Sequence, residues 1–359
     1  MISRRYFLEQ LAGAGATTAL RPSFGDSAPT GLRDIAARRG IIYGCAAATY
    51  ELKDAAFAKV LAQEAGILSA EYEMKRAALE PARGQYDFSG GDQLLAFARR
   101  NAMAFRGHTL VWHHSNPPWL IEALERSGPE SLLTDYIADI LHHYKGKVRS
   151  WDVVNEVIEP GDGRPDGLRN TLWLKRFGRD YIDMAFHAAR QADPHALLVY
   201  NDWGCEWGAP QNDRFRAATL EFLGNALARG VPIQALGMQG HLSAFGTQVD
   251  QKKLASFLEA VRAMGLKILV TEHDVDDSGG PSDVAVRDRA VADASRRFLD
   301  VMLDNPATTS VLTWGLSDRF LDQPGWRDRL AGRYPRKLPL DSDYHRKPMW
   351  HAMAKSLRS

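Results

Sequence analysis

From residue 41 onward the chain alternates short, nearly continuous apolar runs with longer stretches in which apolar residues return every third or fourth position. The short runs fall at 42–47, 68–73, 104–111, 150–155, 197–201, 233–239, 267–271 and 310–315, and their length and bounding polar residues predict buried strands. The longer stretches, such as 132–144, 181–191, 214–228 and 287–303, carry the i, i+3, i+4 pattern of helices with one apolar face. Strand and helix in alternation imply parallel pairing through right-handed crossovers. Eight such units close into a barrel rather than an open sheet, and no Pro/Gly/Ser-rich linker, repeat or composition shift divides them. The predicted fold class is therefore α/β, a single (β/α)8 TIM-barrel domain over residues 31–359.

Composition narrows the partners. The 359 residues are 45% hydrophobic and 25% charged, enough to bury a large core. With a formal net charge of +1 and no basic run or stripe, the chain offers nothing that would track a phosphate backbone, so no nucleic acid is expected. No stretch of about 18 apolar residues is present to span a bilayer, and no membrane partner is expected. A monomer is the expected state.

Residues 1–30 stand apart from the alternating pattern. Arg4-Arg5 is followed by Phe7-Leu8, a weakly apolar stretch at 11–20, and then Pro22, Ser23, Gly25 and Pro29. This resembles a twin-arginine-type export signal and linker, which implies a periplasmic or secreted protein. Cys45 and Cys205 would permit one bridge in an oxidising compartment, but two separated cysteines in such surroundings read as buried small hydrophobes, and their spacing is not that of a zinc site.

Some clusters read as structural. The alternating charges Arg287, Asp288, Arg289, Asp293, Arg296 and Arg297 suit the solvated face of a helix. His142-His143 falls late in a helix, where the dipole favours histidine. GDGRPDG at 161–167 lacks the further ligands of a calcium loop and reads as a turn-rich connection.

Barrel active sites form where the strands end. Here those ends are polar and aromatic: Glu71, Tyr72 and Lys75 after the second run; His108, Trp112, His113 and His114 after the third; Asn155-Glu156 after the fourth; Asn201-Asp202 after the fifth. Gln239 and His241 follow the sixth, Glu272 and Asp274 the seventh, and Trp314 and Asp318 the eighth. Glu156 and Glu272, delivered by separate strand ends, are the pair that glycosidic bond cleavage needs, one acid for the leaving oxygen and one base or nucleophile opposite. The neighbouring histidines do not assemble a metal site, since His113 and His114 would point to opposite faces of a strand with no acidic partner close by. Neither metal nor organic cofactor is expected.

The segments RGHTLVWHHSNPPWL (106–120), WDVVNEV (151–157), YND (200–202), GMQGHL (237–242), LVTEHDV (269–275) and TWGLSD (313–318) occur in an order that resembles glycoside hydrolase family 10, the endo-β-1,4-xylanase family. The resemblance spans about residues 41–350. It implies a retaining endo-xylanase acting on xylan or xylooligosaccharides, with Glu156 as general acid/base and Glu272 as nucleophile. It further implies that His241 and Asp274 form a hydrogen-bonded chain keeping Glu272 ionised, that Gln239 contacts Glu156, and that Asn155 binds the 2-hydroxyl at the cleavage point. Glu71, Lys75, His108, Trp112, Asn201, Trp314 and Trp326 are the implied substrate contacts.

Departures from the family pattern gather around the sugar sites. Tyr72 stands where Asn is usual, Arg76 where Trp often follows Met-Lys, and His273 where Leu commonly follows the nucleophile. The late aromatic motif is altered to DRFLDQPGW at 318–326. Two rival readings stay open: a transglycosylase or hydrolase of another β-glycan on the same site, and a non-catalytic glycan-binding barrel. Retention of Asn155, Glu156 and Glu272 stands against the latter.

Overall fold

The computed structural model describes residues 31–321 and 333–359. Within them the apolar runs become strands β1 (Ile42–Ala47), β2 (Ile67–Ala70), β3 (Ala104–Gly107), β4 (Ser150–Asn155), β5 (Leu197–Asp202), β6 (Ala235–Met238), β7 (His241–Ser243), β8 (Lys267–Asp276) and β9 (Thr308–Thr313). The pairings are parallel, and the order β1-β2-β3-β4-β5-β6-β8-β9 returns to β1, which closes a barrel of eight strands. The short β7, which the sequence pattern does not announce, lies parallel to the outer part of β8, with His241 opposite Asp274.

Strand lengths differ from expectation where the site is built. Regular pairing ends at Ala70 and Gly107 rather than at 73 and 111, and the chain beyond Gly107 rejoins β4 through Val111 opposite Val154. β8 instead runs on past residue 271 to Asp276, carrying Glu272 through a register irregularity between Val270 and His273. Apolar periodicity does not report this extension, because four of the five residues that continue β8, Glu272, His273, Asp274 and Asp276, are polar.

The expected helices form at Ser131–Tyr144, Asp180–Ala192, Pro210–Ala228 and Val284–Asp304. Helix starts are set by side-chain caps: Asp54 accepts from the Ala56 and Phe57 amides, and Asp283 from those of Ala285 and Val286. The barrel interior is polar in part. Arg106 on β3 is buried and ion-paired with Asp152 on β4, and it also donates to Ser150 Oγ at 3.1 Å.

Of the charged stretch from residue 287, Arg289, Asp293, Arg296 and Arg297 lie on the expected exposed face, and Arg287 and Asp288 depart from it. Arg287 and Asp288 are 4% and 8% exposed, and they pair with Asp277 and Arg336, each at 2.7 Å. The segment after residue 333 returns across the first turns of this helix and covers Arg287 and Asp288, a tertiary contact that local charge patterning does not encode. Cys45 and Cys205 are both buried and free. The expected export signal at 1–30 and Trp326 lie outside the described residues.

Candidate active site

β4 and β8 deliver the two glutamates to a cleft of about 440 Å³ at the strand ends, lined by Lys75, His108, Trp112, Asn155, Glu156, Gln239, His241, Glu272 and Trp314. Glu156 directly follows β4 with φ of +57°, a left-handed conformation rare for a residue with a Cβ. Its carbonyl accepts from Arg169 Nε at 2.9 Å, which ties down the turn. Its amide donates to the Asn201 carbonyl at 2.9 Å.

Two amide side chains link the glutamates. Gln239 Nε2 donates to Glu156 Oε1 at 3.0 Å, while the Gln239 carbonyl accepts from the Glu272 amide at 2.9 Å. Asn201 holds the Glu156 backbone and donates through Nδ2 to Glu272 Oε1 at 2.8 Å. Each residue thus touches both glutamates, one through main chain and one through side chain. Gly237 makes room for this, because a Cβ there would lie 2.3 Å from Asn201 Oδ1.

Asn201 therefore differs from its expected place among the sugar contacts. It is fully buried, with Oδ1 taken by Thr271 Oγ1 at 2.7 Å and Nδ2 by Glu272, so it orients the carboxylate from beneath the cleft. Asn155 lies between Asn201 and Trp112, its side-chain amide 2.8 Å from Asn201 Nδ2 and 3.2 Å from Trp112 Nε1.

Glu272 is surrounded by donors. His241 Nε2 is 3.2 Å from Oε2, and His241 Nδ1 lies 2.9 Å from Asp274 Oδ1. Burial acts to raise the Glu272 pKa, but the His241 hydrogen bond, the His108 and His241 charges and the Asn201 amide outweigh it and hold it at about 2. For His241 burial would favour the neutral ring, yet Asp274 and Glu272 override that and raise it to about 10. Asp274, despite burial, is held well below the usual carboxylate range by Lys337 and His241. At neutral pH the set is an anionic Glu272 against a cationic imidazole.

His108 is oriented by Asp152, with Nδ1 at 2.9 Å from Oδ2, and the same nitrogen lies 3.8 Å from Glu272 Oε1. His113 and His114 follow the end of β3 and do not point apart as expected, their ring centres being 4.0 Å apart. His113 does have an acidic neighbour: it stands on the other side of the acid, Nε2 3.9 Å from Glu156 Oε2. Burial, then His114 and Arg169, lowers His113 to about 3, so it is a neutral ring there.

A second cavity of about 510 Å³ adjoins the first through shared His241 and Trp314 and includes Glu71, Tyr72 and Lys337 in its wall. Lys75 lies at their junction, its Nζ 5.2 Å from the ring centres of Tyr72 and Trp112 and 5.5 Å from that of Trp314. These distances are within reach of cation–π attraction. His273 does not enter the cleft: it is fully buried, with Nδ1 donating to the Gly240 carbonyl and Nε2 accepting from Ser295 Oγ, both at 2.8 Å.

Sequence reasoning missed Trp203 and Trp207 in the cleft wall, Lys337 on Asp274, and Arg169 behind Glu156. Trp203 directly follows the YND segment, and an aromatic just past a barrel strand end is a signal that was there to be read. Lys337 and Arg169 carry no such local mark.

Comparison with known proteins comes to the same place as the geometry. Residues 31–356 match the family described as Glycosyl hydrolase family 10. The chain is 33% identical over 336 residues to endo-1,4-beta-xylanase B of Thermotoga neapolitana, covering 92% of each protein. Native xylanase 10B from Thermotoga maritima superposes with a TM-score of 0.80 at 30% identity, covering 91% of this chain and 98% of that one. Xylanase 10B from Thermotoga petrophila RKU-1 in complex with xylobiose gives a TM-score of 0.81 at 30% identity over 93% and 98% of the two chains.

Proposed function

The chain belongs to Glycosyl hydrolase family 10, and from that membership we propose that it is a retaining endo-1,4-β-xylanase cutting internal β-1,4 bonds of xylan and xylooligosaccharides. The observation that carries the mechanism is the linked pair itself: Glu156 and Glu272 on the floor of one cleft, cross-braced by Asn201 and Gln239, with Glu272 held anionic.

In the first step a Glu272 oxygen bonds to the anomeric carbon as the glycosidic C–O bond breaks, and Glu156 gives its proton to the departing oxygen. In the second, Glu156 takes a proton from water as the water oxygen attacks the same carbon, and the electron pair of the ester bond returns to Glu272. Two inversions at one carbon give net retention. Asn155 is suited to grip the 2-hydroxyl, a contact that strengthens as positive charge develops at the anomeric carbon.

Lys75, His108, Trp112 and Trp314 suit the sugar that becomes esterified, with Trp314 offering a flat apolar face. The leaving portion then lies beyond Glu156, over Trp203 and Trp207. We read the protein as an exported monomer, acting in the periplasm or outside the cell, because Arg4-Arg5-Tyr6-Phe7-Leu8 opens the chain and a polymeric substrate is met outside.

The test is product analysis on xylan, cellooligosaccharides and decorated xylooligosaccharides, with anomeric configuration followed by NMR. The reading requires short xylooligosaccharides whose first-formed reducing ends are β. An initial α product, or cleavage confined to cello-substrates, would sink it.

A further inference from the structure

The hydrogen-bond chain behind Glu272 does not stop at Asp274. Lys337 lies past the last barrel strand, and its Nζ donates to Asp274 Oδ2 at 2.5 Å. The other Asp274 oxygen faces His241 Nδ1 at 2.9 Å, and His241 Nε2 faces Glu272 Oε2 at 3.2 Å. Four side chains thus stand in line with formal charges +1, −1, +1 and −1. Glu272, Asp274 and Lys337 are 6%, 3% and 5% exposed, so water screens them little. Without the Lys337 charge, the remaining three sum to −1, with only His241, about a third exposed, open to the cleft.

The backbone holds Lys337 to this place. Its carbonyl accepts from the Val275 amide on β8 at 3.2 Å. Next to it, the Arg336 amide donates to Asp277 Oδ1 at 3.0 Å, and the Arg336 guanidinium grips both oxygens of Asp288 at 2.7 Å. Asp277 in turn takes Arg287 Nη1 at 2.7 Å through its other oxygen. The buried charges at the start of the Val284–Asp304 helix therefore serve as the anchor of the segment that carries the lysine.

We propose that Lys337 is a positioning residue for the nucleophile: by occupying the outer oxygen of Asp274 it fixes that carboxylate toward His241, and so keeps His241 aimed at an anionic Glu272. This rests on the reading of Glu272 as nucleophile. It also bears on the second step. Once the ester forms, Glu272 is neutral, and the Lys337–Asp274–His241 set carries +1. That charge favours return of the electron pair to the Glu272 oxygen as the ester bond breaks. A lysine far from the sugar's reacting carbon would thereby keep the nucleophile ionised and aimed in the first step and favour its release in the second.

Other charged groups face the same set and stay in place when Lys337 is changed. His108 approaches Glu272 from the β3 side, and Lys75 from the loop after β2. Glu71 lies within the influence of Lys75 and Lys337, Glu206 within that of His241, and His273 within that of Asp274 and His241. Glu156 stands across the cleft.

The experiment compares wild type with Lys337→Met, which keeps an unbranched chain without charge, and Lys337→Arg, which keeps the charge. The pH dependence of kcat/KM is measured on an activated aryl xylobioside. In the Met variant the acid limb should rise by about one unit, the size expected for removing a nearby opposite charge. Ester turnover should slow by roughly tenfold. The Arg variant should keep the wild-type limb. If Met does not fold, Lys337→Gln retains a donor to Asp274 without the charge and should show the same displaced limb. An unmoved limb, or equal losses at every pH in the Met and Arg variants, overturns the proposal and leaves Lys337 as wall packing. Labelling of wild type with a 2-deoxy-2-fluoro-xylobioside, mapped by mass spectrometry, separates the underlying reading: a label away from Glu272 sinks the nucleophile assignment whatever Lys337 does.

Discussion

Glu156→Ala removes a proton donor while leaving the opposite side of the cleft nearly as it is. The Glu272 contacts to Asn201 Nδ2 and His241 Nε2 do not pass through the Glu156 side chain, and the Glu156 amide can still donate to the Asn201 carbonyl. The nucleophile should therefore keep its position and charge. What is lost is general acid assistance, typically worth about 10²–10⁴ in rate, or roughly 2.7–5.5 kcal/mol of barrier. Xylan should suffer all of it, because its leaving group is a sugar hydroxyl that departs poorly as an anion. A dinitrophenyl xylobioside should lose almost nothing in kcat/KM, since its leaving group needs no proton.

The second step adds a separate signature. Without Glu156, water has no base, so the ester should accumulate and the activated substrate should show a burst followed by a slow steady state. Azide, which needs no deprotonation, should restore turnover and give a β-xylobiosyl azide. The Gln239 amide left without Glu156 Oε1 faces a wet cleft, so stability should change little, a point checked by thermal unfolding. Equal losses on xylan and on the dinitrophenyl substrate, or azide without effect, would refute the acid/base role.

Glu272→Ala should abolish turnover on every substrate, the activated aryl xylobioside included, while circular dichroism stays that of the folded barrel; near-normal activity there would reject the nucleophile. Trp203→Ala should lower kcat/KM on xylotetraose by about tenfold, the equivalent of about 1.4 kcal/mol of lost ring contact, and spare an aryl xylobioside, because only the former places a sugar over that ring. Comparable losses on both would move Trp203 out of the leaving-group side. Glu51 is raised by burial, then by Glu71, to about 8 from 4.5, so the folded state keeps a proton that the unfolded chain releases. Its contribution to stability is accordingly lost as pH rises from about 4.5 to about 8. Glu51→Gln should flatten the decline of thermal stability across that window, and an unchanged slope would show that Glu51 is not its source.

The barrel was legible because its strands are buried on both faces and its helices on one, which leaves two different apolar periods in the chain. The line-up of His241, Asp274 and Glu272 was legible through resemblance, since all three fall within short segments at strand ends. Asn201 shows the limit of such reading. Strand-end position marks it as part of the site, yet whether its amide meets a sugar or a carboxylate depends on Gly237 and Thr271, which lie on other strands. Arg287 and Asp288 fail differently. Their charge pattern is that of a wet helix face, and it takes Asp277 and Arg336, from either side in sequence, to bury them.

The departures from the family pattern separate by what they touch. His273 spends both ring nitrogens on Gly240 and Ser295, and burial lowers it to about 4, so a polar ring sits neutral among packed groups. Arg76 pairs with Glu80 at 2.9 Å and lies 4.0 Å from the Tyr136 ring centre, a buried arrangement that does not line the cleft. Tyr72 is the one of these three that meets solvent, 51% exposed in the wall of the second cavity. Its ring, with those of Trp112 and Trp314, faces the Lys75 ammonium from three directions. A residue that contacts substrate space and also helps to hold a cation there changes recognition twice, by filling volume and by fixing where the charge sits. Differences in sugar selection from relatives with Asn at this position should therefore trace to Tyr72 before His273 or Arg76.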